Sequence, residues 1–192
     1  LLLKPGRIPY LNRNLYYFAG KDVWKTLFDL EAMRPGMVLL SAQAPDGNPA
    51  WCDVVTLMTP VATRPWEAWE GSVPGRRPEA YTALKAAMTQ ATVDFACARL
   101  PELRDAIAHT YAATPLTYRH YTGAPHGAAY GLLKDWRNIM ASHIPARTKF
   151  ENLLLTGQNL TVHGAIGVTL SAAATCSEIV GTEYLAKKIA NA

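Results

Sequence analysis

With 192 residues the chain is long enough for one ordinary domain or two small ones. Apolar residues make up 49% and charged residues 18%, so a packed core is expected rather than disorder. The net charge of +4 is scattered, with short clusters only at Arg76-Arg77 and Lys187-Lys188; this argues against a nucleic-acid face and for ordinary solvated surface, with weak attraction to anionic membrane as the second reading.

The first predicted element is the aromatic run RNLYYFA, Arg13 to Ala19, which reads as a strand broken by Gly20. DVWKTLFDLEA follows with apolar residues at Val23, Trp24, Leu27, Phe28 and Leu30, a helical spacing with Asp22 as N-cap. PGMVLLSAQ restarts as a buried strand, PDGNP is a turn, and WCDVVTLMTP is the next strand, so a hairpin through Asp46-Gly47 is expected. Residues 60–78 are proline-rich, include Trp66 and Trp69, and read as an irregular connection lying on the surface.

From Pro78 to Leu100 the pattern is helical, with Tyr81, Leu84, Ala87, Met88, Ala91, Val93 and Phe95 near one face. Such a stripe is core, or one wall of a tunnel for a long apolar substrate with Met88, Phe95 and Trp24 on it. Pro101 ends that helix or opens the next, PELRDAIAHT. YAATPLTYRHY reads as a strand and turn, Thr122–Asp135 as a Gly-rich loop, and residues 136–150 as irregular. Asn152–Gly157 then reads as a short apolar strand, followed by a polar loop and a helix from about Gly164 that runs on to about Ile189. The fold class implied is α+β, or mixed α/β, with the last strand–loop–helix shaped like one βα unit of a parallel sheet.

That last helix is built almost wholly of small residues, with glycines at 164 and 167 in its first turn. Glycine there costs about 1 kcal/mol against alanine, so something must approach closely: a backbone, or a ligand. The leading N–H groups have no partner inside the helix, and the helix dipole makes that end attractive to electron-rich groups. Tight packing without a ligand is the other reading.

The stretch NLLLTGQNLTVHGAIGVTLSAAATCSEIVG, Asn152 to Gly181, resembles the C-terminal flavin-contacting segment of the phytoene desaturase, carotenoid isomerase and retinol saturase family. HYTGAPHGAAYGLLKD is similar to the loop that precedes it in retinol saturase and its bacterial relatives, and AHTYAATPLTYRHYTG to the lead-in before that loop. LTGQ followed by GAIG matches the retinol saturase branch better than the desaturases. The resemblance implies an FAD-dependent oxidoreductase that moves a hydride between flavin and a carbon–carbon double bond of an isoprenoid or polyene. Its flavin would lie in a Rossmann-type domain built from both chain ends, with an inserted substrate domain.

By that resemblance Gly157 and Gln158 lie beside the ribityl and pyrophosphate. Ala165, Ile166 and Gly167, with Val168 next, turn backbone N–H groups to the pyrimidine edge of the flavin ring, where negative charge develops on reduction. The domain assignment implied is 1–150 as the C-terminal portion of a substrate-binding domain and 151–192 as the last βα segment of the FAD domain. The G-x-G-x-x-G element is absent and the chain begins at Leu1, so it reads as a C-terminal piece whose partner is the missing N-terminal FAD domain. By itself it is expected to hold FAD weakly or not at all and to be inactive. The rival reading is a non-redox binding module of the same fold that holds an apolar ligand or a protein partner.

Catalytic residues stay unassigned, because in such enzymes the cofactor carries the chemistry. His126, Tyr130 and His163 are the candidates: His126 as acid/base or substrate-polarising group, Tyr130 as a substrate-tunnel residue, His163 for its place before the small-residue helix. Packing or an ordinary loop hydrogen bond is the alternative for each. No metal-ligand spacing occurs, and the cysteines at 52, 97 and 176 carry no CxxC, so reduced, buried thiols in a cytoplasmic protein are expected, with peripheral membrane association as the second possibility.

Overall fold

In a computed structural model of the chain, described for residues 1–30, 33–47 and 50–191, the fold is α+β and parts into two compact units, Leu1–Gly127 and Ala128–Ala192. The division falls after Gly127, so residues 128–150 pack with the C-terminal segment.

The first unit is built on a five-stranded antiparallel sheet. In chain order its elements are β1 (Leu2–Leu3), β2 (Ile8–Pro9), β3 (Leu15–Phe18), α1 (Val23–Phe28), β4 (Met37–Gln43), β5 (Trp51–Cys52), β6 (Val54–Met58), α2 (Arg64–Glu67), α3 (Glu79–Cys97), α4 (Leu103–Ala106), β7 (Ile107–His109) and α5 (Pro115–Thr122). The spatial order is β3-β4-β6-β1-β7, while β2 and β5 form a separate small ladder. Asp22 caps α1 as its sequence predicts, its carboxylate accepting from the Lys25 N–H at 3.0 Å. The predicted hairpin forms, with Leu40 opposite Leu57 and Gln43 opposite Val54; Asn48 and Pro49 of its turn lie outside the described residues.

Burial alternates along β4, where Val38 and Leu40 point inward. They meet Val55 of β6 and the face of α3 that carries Val93, Ala96 and Cys97, closed by Leu103 and Ala106 of α4. A second cluster joins Trp66, Tyr81, Met88 and Leu116. The α3 stripe is thus core at Met88 and Val93, with Phe95 packed partly buried against the main cluster, whereas Trp24 is 70% exposed. Asp94 is held below the usual carboxylate range by hydrogen bonds from Arg104, at 2.7 Å, and from Gln90. Because the folded pKa is lowered, the stability this exposed pair adds is present at neutral pH and lost as pH falls through that value.

Four expectations are corrected. YAATPLTYRHY contains no strand: α5 forms there because Pro115 sits at the first turn, the Thr114 N–H donates to Thr117 Oγ1 at 3.1 Å, and Gly123 closes the helix in the left-handed region at φ +68°. PELRDAIAHT is helical only to Ala106; Ile107–His109 leaves the helix to pair with β1. The connection 60–78 does not lie on the surface at Trp66, which is 2% exposed inside α2. Cys52 and Cys97 are buried, and burial pushes both thiols up, but Cys176 is exposed; all are free.

The second unit contains α6 (Ile139–Ser142), α7 (Gly164–Val180) and α8 (Thr182–Ala190). Gly181 interrupts the predicted continuous C-terminal helix. The stretch Asn152–Gly157 is not a strand; its ladder pairing is a single bridge between Leu154 and Arg147, because no neighbouring strand is at hand among the described residues. Of the expected strand–loop–helix only the loop and the helix form, so no Rossmann-type βα unit is seen among the described residues. One side of α7 is pinned to the preceding loop through small and polar residues. Thr161 and Ser171 hydroxyls lie 3.0 Å apart, Thr175 Oγ1 donates to the Leu155 carbonyl at 2.7 Å, and Arg147 pairs with Glu178 at 2.7 Å. No described helix is long and apolar enough to cross a membrane.

Candidate functional site

Of the predicted cofactor-binding residues, Ala165, Ile166, Gly167 and Val168 lie in the first turns of α7, and Gly157 and Gln158 lie in the loop before it. Gly157 and Gly164 both adopt left-handed backbone, φ +109° and +80°, and a Cβ built at either would meet nothing within 4 Å. Gly164 therefore turns the chain into the helix at a conformation that costs other residues energy, with open space beside it. Its neighbour His163 stands at the N-cap without a side-chain capping bond, and the first turn holds no acidic side chain. Ala165, Ile166 and Val168 are exposed.

In an α-helix that starts at Gly164, the N–H groups of Gly164, Ala165 and Ile166 have no carbonyl four residues back inside the helix. Those of Gly167 and Val168 do, so the free donors are the earlier ones. Gly167 has a different part. It is buried, and an added Cβ would stand 2.1 Å from the Val162 carbonyl oxygen and 2.4 Å from its carbon. The close approach that this glycine permits is made by the chain's own loop.

That loop is held by groups whose role no sequence motif signals. The Lys134 ammonium donates to the carbonyls of Ser142 and Asn159, each at 2.6 Å, and of Leu160 at 3.0 Å. Those three bonds use all the donors an ammonium has. Asn159 Oδ1 accepts from the Leu132 N–H at 2.9 Å and fills the space that a side chain on Gly131 would need, lying 2.0 Å from the point where its Cβ would stand. Gln158, the other predicted ribityl contact, is half-buried in the same turn. A signal existed in the Asn after TGQ and the Lys after GLL, but nothing local links residues so far apart. Replacing Lys134 with Met is expected to destabilise the second unit by about 2 kcal/mol, since bonds to a charged donor are worth roughly 1.5–3 kcal/mol. Faster amide hydrogen exchange across 142–160, with 37–58 unchanged, is the measurement.

Of the candidate catalytic residues, two come together. The rings of Tyr130 and His163 stack with centroids 4.7 Å apart and planes tilted by 33°. His126 belongs to the first unit, in a 3-10 turn at Pro125–Gly127, exposed and with left-handed backbone at φ +54°. A cavity of about 300 Å³ in the second unit is lined by Lys134, Trp136, Ile139, His143 and Val162 among others. Among the described residues no three His, Cys, Asp or Glu side chains gather as metal ligands would.

As a test of fit to a flavin, the open faces at Gly157 and Gly164 and the unspent N–H groups of Ala165 and Ile166 suit an electron-rich edge, whereas the space at Gly167 is already taken by Val162. The class these features define is an α+β chain ending in a loop-to-helix element with an unblocked, donor-rich leading end. In comparisons with known proteins, the chain is similar to all-trans-retinol 13,14-reductase. The human protein is 29% identical over 143 residues, covering 69% of this chain and 23% of the relative. The rat protein is 30% identical over the same extent. A zebrafish (Danio rerio) protein named inactive all-trans-retinol 13,14-reductase is 30% identical over 104 residues, 53% of this chain and 17% of its own length. The chain thus spans less than a quarter of the length of these relatives. No family model and no solved structure matches it.

Proposed function

We propose that this chain is the C-terminal part of an FAD-dependent oxidoreductase that acts on a carbon–carbon double bond of an isoprenoid or polyene, with retinol, the compound in the relatives' name, as the first substrate to try. The observation that carries the reading is the unblocked start of α7, in the segment whose sequence resembles a flavin-contacting one: left-handed Gly164 beside open space, with exposed Ala165 and Ile166 following. The flavin would supply hydride transfer. The protein's part is to hold it: Ala165 and Ile166 with main-chain donors, Gly157 and Gln158 at the ribityl side, and the Tyr130–His163 ring pair as an aromatic wall at the start of the helix. Residues before Leu1 in the longer protein would supply the dinucleotide site. A peripheral membrane contact suits an apolar substrate.

The test is to purify the longer natural protein that contains this chain and assay it with retinol and other polyenes under reducing and oxidising conditions. Stoichiometric flavin absorbance with turnover is the expected result. A colourless protein without turnover would remove the redox reading. The 192-residue chain alone should hold FAD weakly or not at all, and stoichiometric flavin on it would overturn the division between a present and a missing flavin domain.

The similarity to a relative named as inactive favours a second reading, a binding module that keeps an apolar ligand without redox chemistry. Retinol binding without flavin in the longer protein would select it.

A further inference from the structure

The first unit contains a cavity of about 330 Å³ whose lining is unusual in charge. Arg77, Lys85 and His120 reach it from three segments, the loop before α3, α3 itself and α5, and the hydroxyl-bearing Thr82, Thr117 and Tyr121 join them; no Asp or Glu lines it. We propose that this cavity binds a phosphate group, carried by a small molecule or by a lipid headgroup.

The guanidinium of Arg77 is held in place before any ligand arrives. It donates to the Tyr81 hydroxyl at 2.5 Å and to the Leu116 carbonyl at 3.3 Å, and lies over the Tyr81 ring at 4.6 Å from the centroid. Tyr81 is buried and its hydroxyl is fixed in turn against Thr114 Oγ1 at 2.8 Å. Those two bonds leave donors of the fork unspent, and Nε is shut off from solvent without an acceptor among the described residues. A fixed, under-used guanidinium fork is the group that recognises an oxyanion in two-point fashion.

Charge compensation is missing as well. The other cation of α5, Arg119, pairs with Glu70 at 2.7 Å, yet among the described residues neither Arg77 nor Lys85 takes part in an ion pair. Cations left facing one cavity repel each other, and a bound anion with several acceptor oxygens relieves that repulsion while meeting the open donors. Hydroxyls of Thr82, Thr117 and Tyr121 supply the neutral contacts. The T-shaped pair of His120 and Tyr121, 4.8 Å between centroids, gives the rim an aromatic edge on which the rest of the ligand can rest.

The experiment titrates inorganic pyrophosphate into the 192-residue chain by calorimetry and, separately, sediments the chain with phosphatidylcholine vesicles containing or lacking phosphatidic acid. Saturable binding of pyrophosphate identifies a soluble ligand; binding only to the phosphatidic acid vesicles identifies a headgroup. In either arm Lys85→Met and Arg77→Lys should each weaken binding about tenfold, the effect of losing one charge-assisted contact. Lys85→Met also guards against misfolding, because no described hydrogen bond or ion pair uses the Lys85 ammonium, and its melting temperature should match the parent. Absence of binding in both arms, or equal affinity in Lys85→Met and parent, overturns the proposal.

Discussion

Trp66→Ala is expected to cost the first unit about 4 kcal/mol, the usual range for emptying a buried aromatic site being roughly 3–5 kcal/mol. Trp66 is 2% exposed and forms the centre of the second cluster, edge-on to Tyr81 at 5.7 Å and packed with Met88 and Leu116. Its neighbours Tyr81 and Met88 stand on α3 and Leu116 on α5, so closing the cavity left behind requires those helices to move. Its indole Nε1 is buried without a partner among the described residues, so Trp66→Phe discards an unsatisfied donor along with part of the ring and should cost only about 1–2 kcal/mol. Thermal unfolding distinguishes the two: a fall of roughly 10 °C or more for the alanine variant and a few degrees for phenylalanine. Equal losses would mean that ring volume does not govern the site. Since Tyr81 rests on Trp66 and positions Arg77, the alanine variant should also lose the phosphate binding inferred for the neighbouring cavity.

Gly167→Ala is expected to be nearly as damaging in the second unit, at about 3 kcal/mol, the upper end for forcing extra atoms into a packed site. The new methyl group would lie 2.1 Å from the Val162 oxygen, and both neighbours in the clash are main-chain atoms, which have no rotamer by which to step aside. Relief requires the loop at Val162 to lift from α7. That lifts His163 from Tyr130, so amide hydrogen exchange across the loop should quicken together with the loss of stability. Gly164→Ala makes the contrast. There the cost comes from left-handed backbone alone, roughly 1–2 kcal/mol, since the surrounding space is open. If Gly167→Ala melts no lower than Gly164→Ala, the contact with Val162 is not what holds the loop.

The small-residue helix shows how far sequence reasoning reaches. Its start at Gly164 is legible, because two glycines behind a polar loop are a local punctuation. That something lies close against it is legible too. What lies there is divided in a way no local signal marks: at Gly167 it is the chain's own carbonyl, whereas at Gly157 and Gly164 there is open room. Aromatic content misleads at Pro115–Thr122, where reciprocal threonine bonds and a proline at the first turn outweigh strand preference. Composition misleads at Trp66, since a proline-rich connection can still send one large side chain inward.

The amino-acid order by itself determined the elements whose cause is local: α1 behind the Asp22 cap, the hairpin of β4 and β6, the periodic α3 and the onset of α7. Each rests on caps, turns or spacing within a few residues, and those interactions are already present in a short peptide. Tertiary structure alone decided that Ile107–His109 is a strand, because its partner is Leu2–Leu3 at the far end of the unit. It likewise denied Asn152–Gly157 a ladder, buried Trp66, set Lys134 on three distant carbonyls and turned Arg77, Lys85 and His120 into one cavity. Pairings of this kind join residues from under ten to more than a hundred positions apart, and the free energy that selects the long ones exists only once the chain has closed on itself.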